Sequence, residues 1–180
     1  MHLRNIPRIR RTLNQQTTEI LVHSLVSSCL DYANSVLAGV SKQLVQKLQR
    51  VQNAAARIVC QVSRACHITP VLKKLHWLPV YKRIEFKLLL TTFKVLNGHS
   101  PSYLNELLEP YEPTRCLRSG QQRLLKVPPT KLRTFGDRAF CFIAPKLWNK
   151  LPIHLRTITS LEVFKHELKT HLFMEHYNTP

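Results

Sequence analysis

The sequence predicts a mainly α fold: a helical hairpin followed by further packed helices, with a Pro-rich basic loop or small β-hairpin around 109–135. Three observations carry this. Apolar residues recur at three- and four-residue intervals over most of the chain, the period of a helix with one buried face. Helix starts and stops fall at the ends of those runs, as Ser, Thr or Pro before them and Gly after them. Hydrophobic residues make up 44% of the 180, enough for the core of one domain, so disorder is not expected despite the charge.

Residues 1–16 form a basic N-terminal arm. Arg4, Arg8, Arg10 and Arg11 occur there without an acid, and Leu3, Ile6, Ile9 and Leu13 have helix-like spacing. That pattern mimics a mitochondrial presequence, but Pro7 interrupts a helix and Ser is absent. An arm laid against a partner is expected instead.

Residues 17–108 form a helical core. Thr17 caps a helix running through Leu37, with Glu19 in its first turn and Gly39 ending it. Ser41 caps a second helix whose apolar seam is Leu44, Leu48, Val51, Ala55, Ile58 and Val62. A short turn between the two predicts an antiparallel hairpin. Thr69 and Pro70 open a short helix ending near His76, broken by the Trp77-Leu78-Pro79 corner. A strong helix follows from about Val80 to Asn97, stopped by Gly98, with Ile84, Leu88, Leu89, Phe93 and Leu96 inward. Ser100 and Pro101 start another short helix through Leu108.

Residues 109–135 change character. Pro110, Pro113, Pro128 and Pro129 exclude a continuous helix, and Leu124 to Val127 and Lys131 to Phe135 are expected to pair as short strands. Residues 136–174 return to apolar periodicity and predict C-terminal helices packing on the core, with Pro145 as a kink or new start. Ser160 caps the last helix, through about Phe173, with Leu161, Phe164, Leu168 and Leu172 inward. Residues 175–180 are a tail.

The net charge is +17, from 27 Lys+Arg against 10 Asp+Glu, spread over the whole chain. Such a balance favours polyanion partners, nucleic acid first and an anionic membrane surface second. Lys47, Arg50 and Arg57 fall within about 80° of each other on the second helix, and Arg83, Lys87 and Lys94 within about 40° on the long one. With Arg115, Arg118, Arg123, Lys126, Lys131 and Arg133 of the Pro-rich stretch, these are the candidate nucleic-acid contacts. Charge reversal of Arg83, Lys87 and Lys94 is expected to weaken binding without unfolding the protein.

No stretch approaches the ~20 apolar residues of a membrane span. The five cysteines are odd in number, irregular in spacing and preceded by no signal peptide. They read as reduced thiols of an intracellular protein, nuclear or cytoplasmic.

Catalytic chemistry finds no assembled centre. Two-metal nucleotide chemistry needs several carboxylates, whereas Asp31 and Asp137 are the only aspartates and lie far apart. Asp31 reads as a helix residue bonded to a neighbour and Asp137 as a turn or cap residue. Cys60, Cys66 and His67, and the His166, His171 and His176 series, lack the paired spacing of a zinc site. With four glycines there is no GxxxxGK[ST] or GxGxxG loop for phosphate. Nothing singles out one cysteine as a nucleophile, and Trp77 and Trp148 read as core anchors rather than base-stacking platforms. The expectation is therefore no catalytic residue, no metal, no cofactor and no small-molecule substrate.

Seven segments in one order carry a resemblance: HLRNIPRIRR (2–11), LVHSLVSSCLDYANSVLAG (21–39), LVQKLQRVQNAAARIV (44–59), ITPVLKKLHWLPVYKRIEFKLLLTTFKVLNG (68–98), PSYLNELLEPY (101–111), RAFCFIAPKLWNKLP (138–152) and SLEVFKHELKTHLF (160–173). Together they resemble the C-terminal region of the second open reading frame of animal LINE-type (non-LTR) retrotransposons, in the broad L2/CR1-like group. That region follows the reverse transcriptase domain, whose paired aspartates lie upstream of the matched part. The resemblance implies a helical, basic, non-catalytic extension that grips template RNA or target DNA beside the polymerase. Ala33 stands where relatives often have Cys, a swap between two small core residues. Met1 opens inside the family pattern, as expected for a truncated copy or fragment. The competing expectations are a helical interaction module, whose Leu44 to Val62 seam packs on the polymerase domain or on a second copy, and a remnant with no selected role.

Overall fold

A computed structural model of the chain describes residues 2–112, 123–130 and 136–178, and the regular elements among them are all helical. The mainly α expectation is met. The chain divides into two compact units, Met1–Ile84 and Glu85–Pro180, with the boundary inside the helix Val80–Leu96. The predicted core of residues 17–108 is thus distributed over both.

The first unit opens with α1, His2–Ile9, a helix that contains Pro7. The sequence predicts that Pro7 interrupts a helix here. A proline this close to the end removes a single backbone bond, and burial of Ile6 at 2% exposure offsets that loss. Arg10 then donates from Nε to the Ile58 carbonyl at 3.1 Å and from Nη2 to the Val59 carbonyl at 3.0 Å. These are carbonyls of the last turn of α4 (Lys42–Cys60), where a cation also meets the negative end of the helix dipole.

Helix α2 spans Gln15–Val22, and its cap is Asn14 rather than Thr17: Asn14 Oδ1 accepts the Thr17 N–H at 2.7 Å. It runs through a π-helical turn, His23–Ser27, into α3, Ser28–Asp31. The helix stops there, short of the predicted Leu37. Ala33 adopts a left-handed φ of 48° and is exposed, so it is not the core residue the sequence suggested. Just past this end Asn34 Nδ2 donates to Asp31 Oδ1 at 3.4 Å. A 3-10 turn, Asn34–Leu37, leads into α4. Helices α2 and α4 pack on each other, as a hairpin requires.

The buried face of α4 differs from the predicted seam. Gln52, Ala55, Ala56 and Val59 face inward, whereas Leu44 is 49% exposed and Leu48, Val51 and Ile58 are half-buried. The buried face is centred about 70° around the helix from the seam. The reason is Gln52, which an apolar-only pattern assigns to solvent. Its Nε2 donates to the Leu78 carbonyl at 2.8 Å, while Gln49 Oε1 accepts the Val80 N–H at 2.8 Å. Two amides of α4 therefore satisfy the backbone of the corner that separates α5 (Ile68–Lys74) from α6 (Val80–Leu96). His76 makes that corner possible with a left-handed φ of 53°, and the Trp77 N–H returns to the Leu72 carbonyl at 3.0 Å. Trp77, Leu78 and Val80 are buried, so LHWLPV is a packing motif.

In the second unit α6 ends as predicted. Gly98 takes φ 70°, its N–H reaches the Val95 carbonyl at 3.2 Å, and the His99 N–H reaches the Lys94 carbonyl at 2.8 Å. Helix α7, Ser102–Asn105, is shorter than expected, with turns continuing to Leu108. Segment 124–127 does pair, but with 109–111. The Tyr111 N–H donates to the Leu124 carbonyl and the Lys126 N–H to the Glu109 carbonyl, each at 2.9 Å, around an antiparallel Pro110–Leu125 bridge. Pro110 fits because the bridge position it holds needs no N–H. The predicted partner, 131–135, lies outside the described residues.

Helix α8, Phe140–Trp148, accommodates Pro145 internally; α9 is Ile153–Arg156 and α10 is Leu161–Tyr177. Phe164 is the centre of the core, with Phe93 stacked on it at 4.2 Å and Trp148 tilted at 5.9 Å. Leu155, Leu168 and Leu172 complete it. Trp148 Nε1 donates to the Arg123 carbonyl at 2.8 Å. Asn149 accepts the Leu125 N–H at 2.9 Å and donates to the Leu125 carbonyl at 2.7 Å, pairing it as a neighbouring strand would.

Candidate nucleic-acid interface

Charge is unequal between the units. Residues 1–84 hold thirteen Lys and Arg against two acids, and residues 85–180 hold fourteen against eight. In the first unit one acid, Asp31, is engaged by Arg83 and the other, Glu19, faces His23 at 3.6 Å. The remaining cations therefore keep most of their field.

On α4 the cations stand nearly opposite the buried face, by about 170° at 100° per residue. Lys47 and Arg50 are exposed and Arg57 is half-buried. Arg50 and Arg57 line a groove of about 540 Å³ together with Pro7, Asn53, Ala54, Ile58, Val62 and Arg64. Its walls are fixed from three sides. Arg10 ties the segment after α1 to the end of α4. Gln61, at φ 53°, folds the chain back so that the Val62 N–H meets the Arg57 carbonyl at 3.2 Å. Arg57 Nη2 then pins the following loop through the Cys66 carbonyl at 3.2 Å. Arg57 Nε is buried without a hydrogen-bond partner, and no carboxylate lines the groove. Three guanidinium groups around a concave surface with no acid make an anion-binding arrangement.

The other predicted contacts are differently placed. Arg83 is engaged in a two-pronged bond: Nε donates to Asp31 Oδ1 at 2.8 Å and Nη2 to Oδ2. Reversing its charge would set two carboxylates against each other, so that substitution also removes a bond of the fold. Lys87 is exposed and Lys94 half-buried on α6. Arg123 donates to the Arg156 carbonyl at 3.3 Å. Lys126 bonds Glu109 at 2.7 Å, and that hydrogen bond raises the pKa of its ammonium above the ordinary lysine value. Arg115, Arg118, Lys131 and Arg133 lie outside the described residues.

Arg64 is the member the sequence reading missed. It belongs to the turn after α4, and a search along helix faces stops at the helix end. The signal that finds it is the equal spacing of Arg50, Arg57 and Arg64, seven residues apart.

Other chemistry has little support in the geometry. Among the described residues no group of three His, Cys, Asp or Glu could hold a metal ion. Burial raises the Cys60 pKa, which disfavours the thiolate. Thr130 Oγ1 donates to Asp137 Oδ1 at 2.7 Å, which engages that carboxylate. No helix among the described residues is long and apolar enough to cross a membrane. No protein-family model, curated protein or solved structure matches the chain.

Proposed function

We propose that this chain is a non-catalytic nucleic-acid-binding accessory segment of the LINE-type retrotransposon kind, acting on RNA or DNA backbones beside a reverse transcriptase domain. The observation that carries the binding is the acid-free groove lined by Arg50, Arg57 and Arg64. The seven ordered segments support the LINE-type origin. Each guanidinium brought against a phosphate releases condensed counterions, so affinity comes with weak sequence selectivity and steep salt dependence. Titration of the protein with RNA and DNA at two salt concentrations tests this; absent or salt-independent binding defeats it. Incubation with primer–template, nucleotides and divalent metal yields no extension on this reading.

A second reading has its own support. Leu44 is 49% exposed, Val36 73% and Tyr32 85%, leaving apolar side chains uncovered in the first unit. That favours an interaction module pairing with a second copy or with the polymerase domain. Concentration-dependent self-association, lost in Leu44→Lys, is the result that supports pairing with a second copy.

A further inference from the structure

We infer that the groove takes an unpaired polynucleotide strand, seating bases on its apolar wall while its arginines hold the adjoining phosphates. This rests on the nucleic-acid reading above and narrows it to a strand state. A polyanion contact alone requires only positive charge at the surface. Here half of the lining has another character: Pro7, Ala54, Ile58 and Val62 are apolar, and Asn53 adds an amide. Asn53 Oδ1 is taken by Gln49 Nε2 at 2.8 Å, which orients the amide and leaves its N–H groups as donors.

Size and spacing agree with that occupant. The volume of about 540 Å³ lies in the range of pockets that enclose one nucleotide-sized group. Arg50 and Arg57, seven residues apart on one helix, are separated by about 10.5 Å along its axis. A flexible unpaired strand adapts its phosphates to that span and offers free base faces to apolar surface and to guanidinium planes. A duplex hides those faces in its own stack. The Cys66 and Arg10 bonds fix the walls beforehand, so little ordering is needed on binding.

The test compares four probes on the full chain at one salt concentration: an unpaired strand of about 16 nucleotides, the same strand with its bases removed, its duplex, and long-chain polyphosphate. RNA and DNA versions of the strand separate the two sources. The inference predicts that the unpaired strand binds at least about fivefold tighter than the baseless strand and the duplex. Ala54→Glu, an exposed position, should abolish that preference while the protein stays folded by circular dichroism. Equal binding of all four probes overturns the inference and leaves the backbone-binding reading standing. Absence of binding to every probe overturns both.

Discussion

In the first unit the irregular corner at Trp77–Pro79 is held by two glutamine amides of α4; in the second, the extended stretch at Arg123–Leu125 is held by Trp148, the last residue of α8, and by Asn149, which follows it. In each, side chains on or at the end of a helix satisfy backbone groups of a segment with no regular structure of its own. The cations near these clamps differ. Around 123–126 they serve the fold, Arg123 on a carbonyl and Lys126 on Glu109. On α4 they stand away from the buried face, and Arg50 and Arg57 line a groove without acids, Arg57 while also holding the Cys66 carbonyl. Charge density alone does not mark an interface. Charge that is grouped, fixed and left unneutralised does.

The comparison can be broken at its clamps first. Trp148→Ala removes a side chain at 1% exposure and strands the Arg123 carbonyl, and should destabilise by about 3–5 kcal/mol in thermal or urea unfolding. Asn149→Ala and Gln52→Ala should each cost about 1–3 kcal/mol, because each leaves buried backbone groups unpaired. Similar losses in the two variants would show that the clamps are equivalent. A loss below about 0.5 kcal/mol in either would remove that clamp from the account.

Smaller effects separate structural from available charge. Asp31→Asn should cost about 0.2–1 kcal/mol, since Asp31 is 43% exposed and the pair is partly screened. Lys126→Met should have the least effect, because the pair with Glu109 is solvent-exposed. Its pKa is raised in the fold, so its contribution is complete below the ordinary lysine pKa and fades as pH climbs through the raised value. A stability difference between Lys126→Met and the parent that grows above pH 10 instead of shrinking would contradict this sign.

Helix periodicity made most elements legible, because α10 buries an apolar face, α6 buries one interrupted only by Lys82 and Thr92, and Gly98 takes the left-handed φ of a helix stop. Three features were not legible, for physical reasons. The face of α4 is set by Gln52, a polar residue buried by a partner 26 positions away. Segment 124–126 pairs with 109–111 on one edge and with Asn149 on the other, which no local pattern connects. Arg83 looked like one of a row of cations, and only the fold brings Asp31, 52 residues distant, to it. The groove was half legible: Arg50 and Arg57 from helix spacing, Arg64 from the same seven-residue interval carried past the helix end, and Pro7 only in the fold, where Arg10 ties the segment after α1 to α4.

The most direct measurement is the salt dependence of strand affinity for the parent chain and for a variant with Arg50, Arg57 and Arg64 each changed to Gln. The parent should show a steep linear fall of log affinity with log salt. The slope should drop by about 0.7 per arginine removed, about 2 in all. An unchanged slope in the variant, or a parent whose binding ignores salt, would contradict the claim that this groove grips nucleic acid.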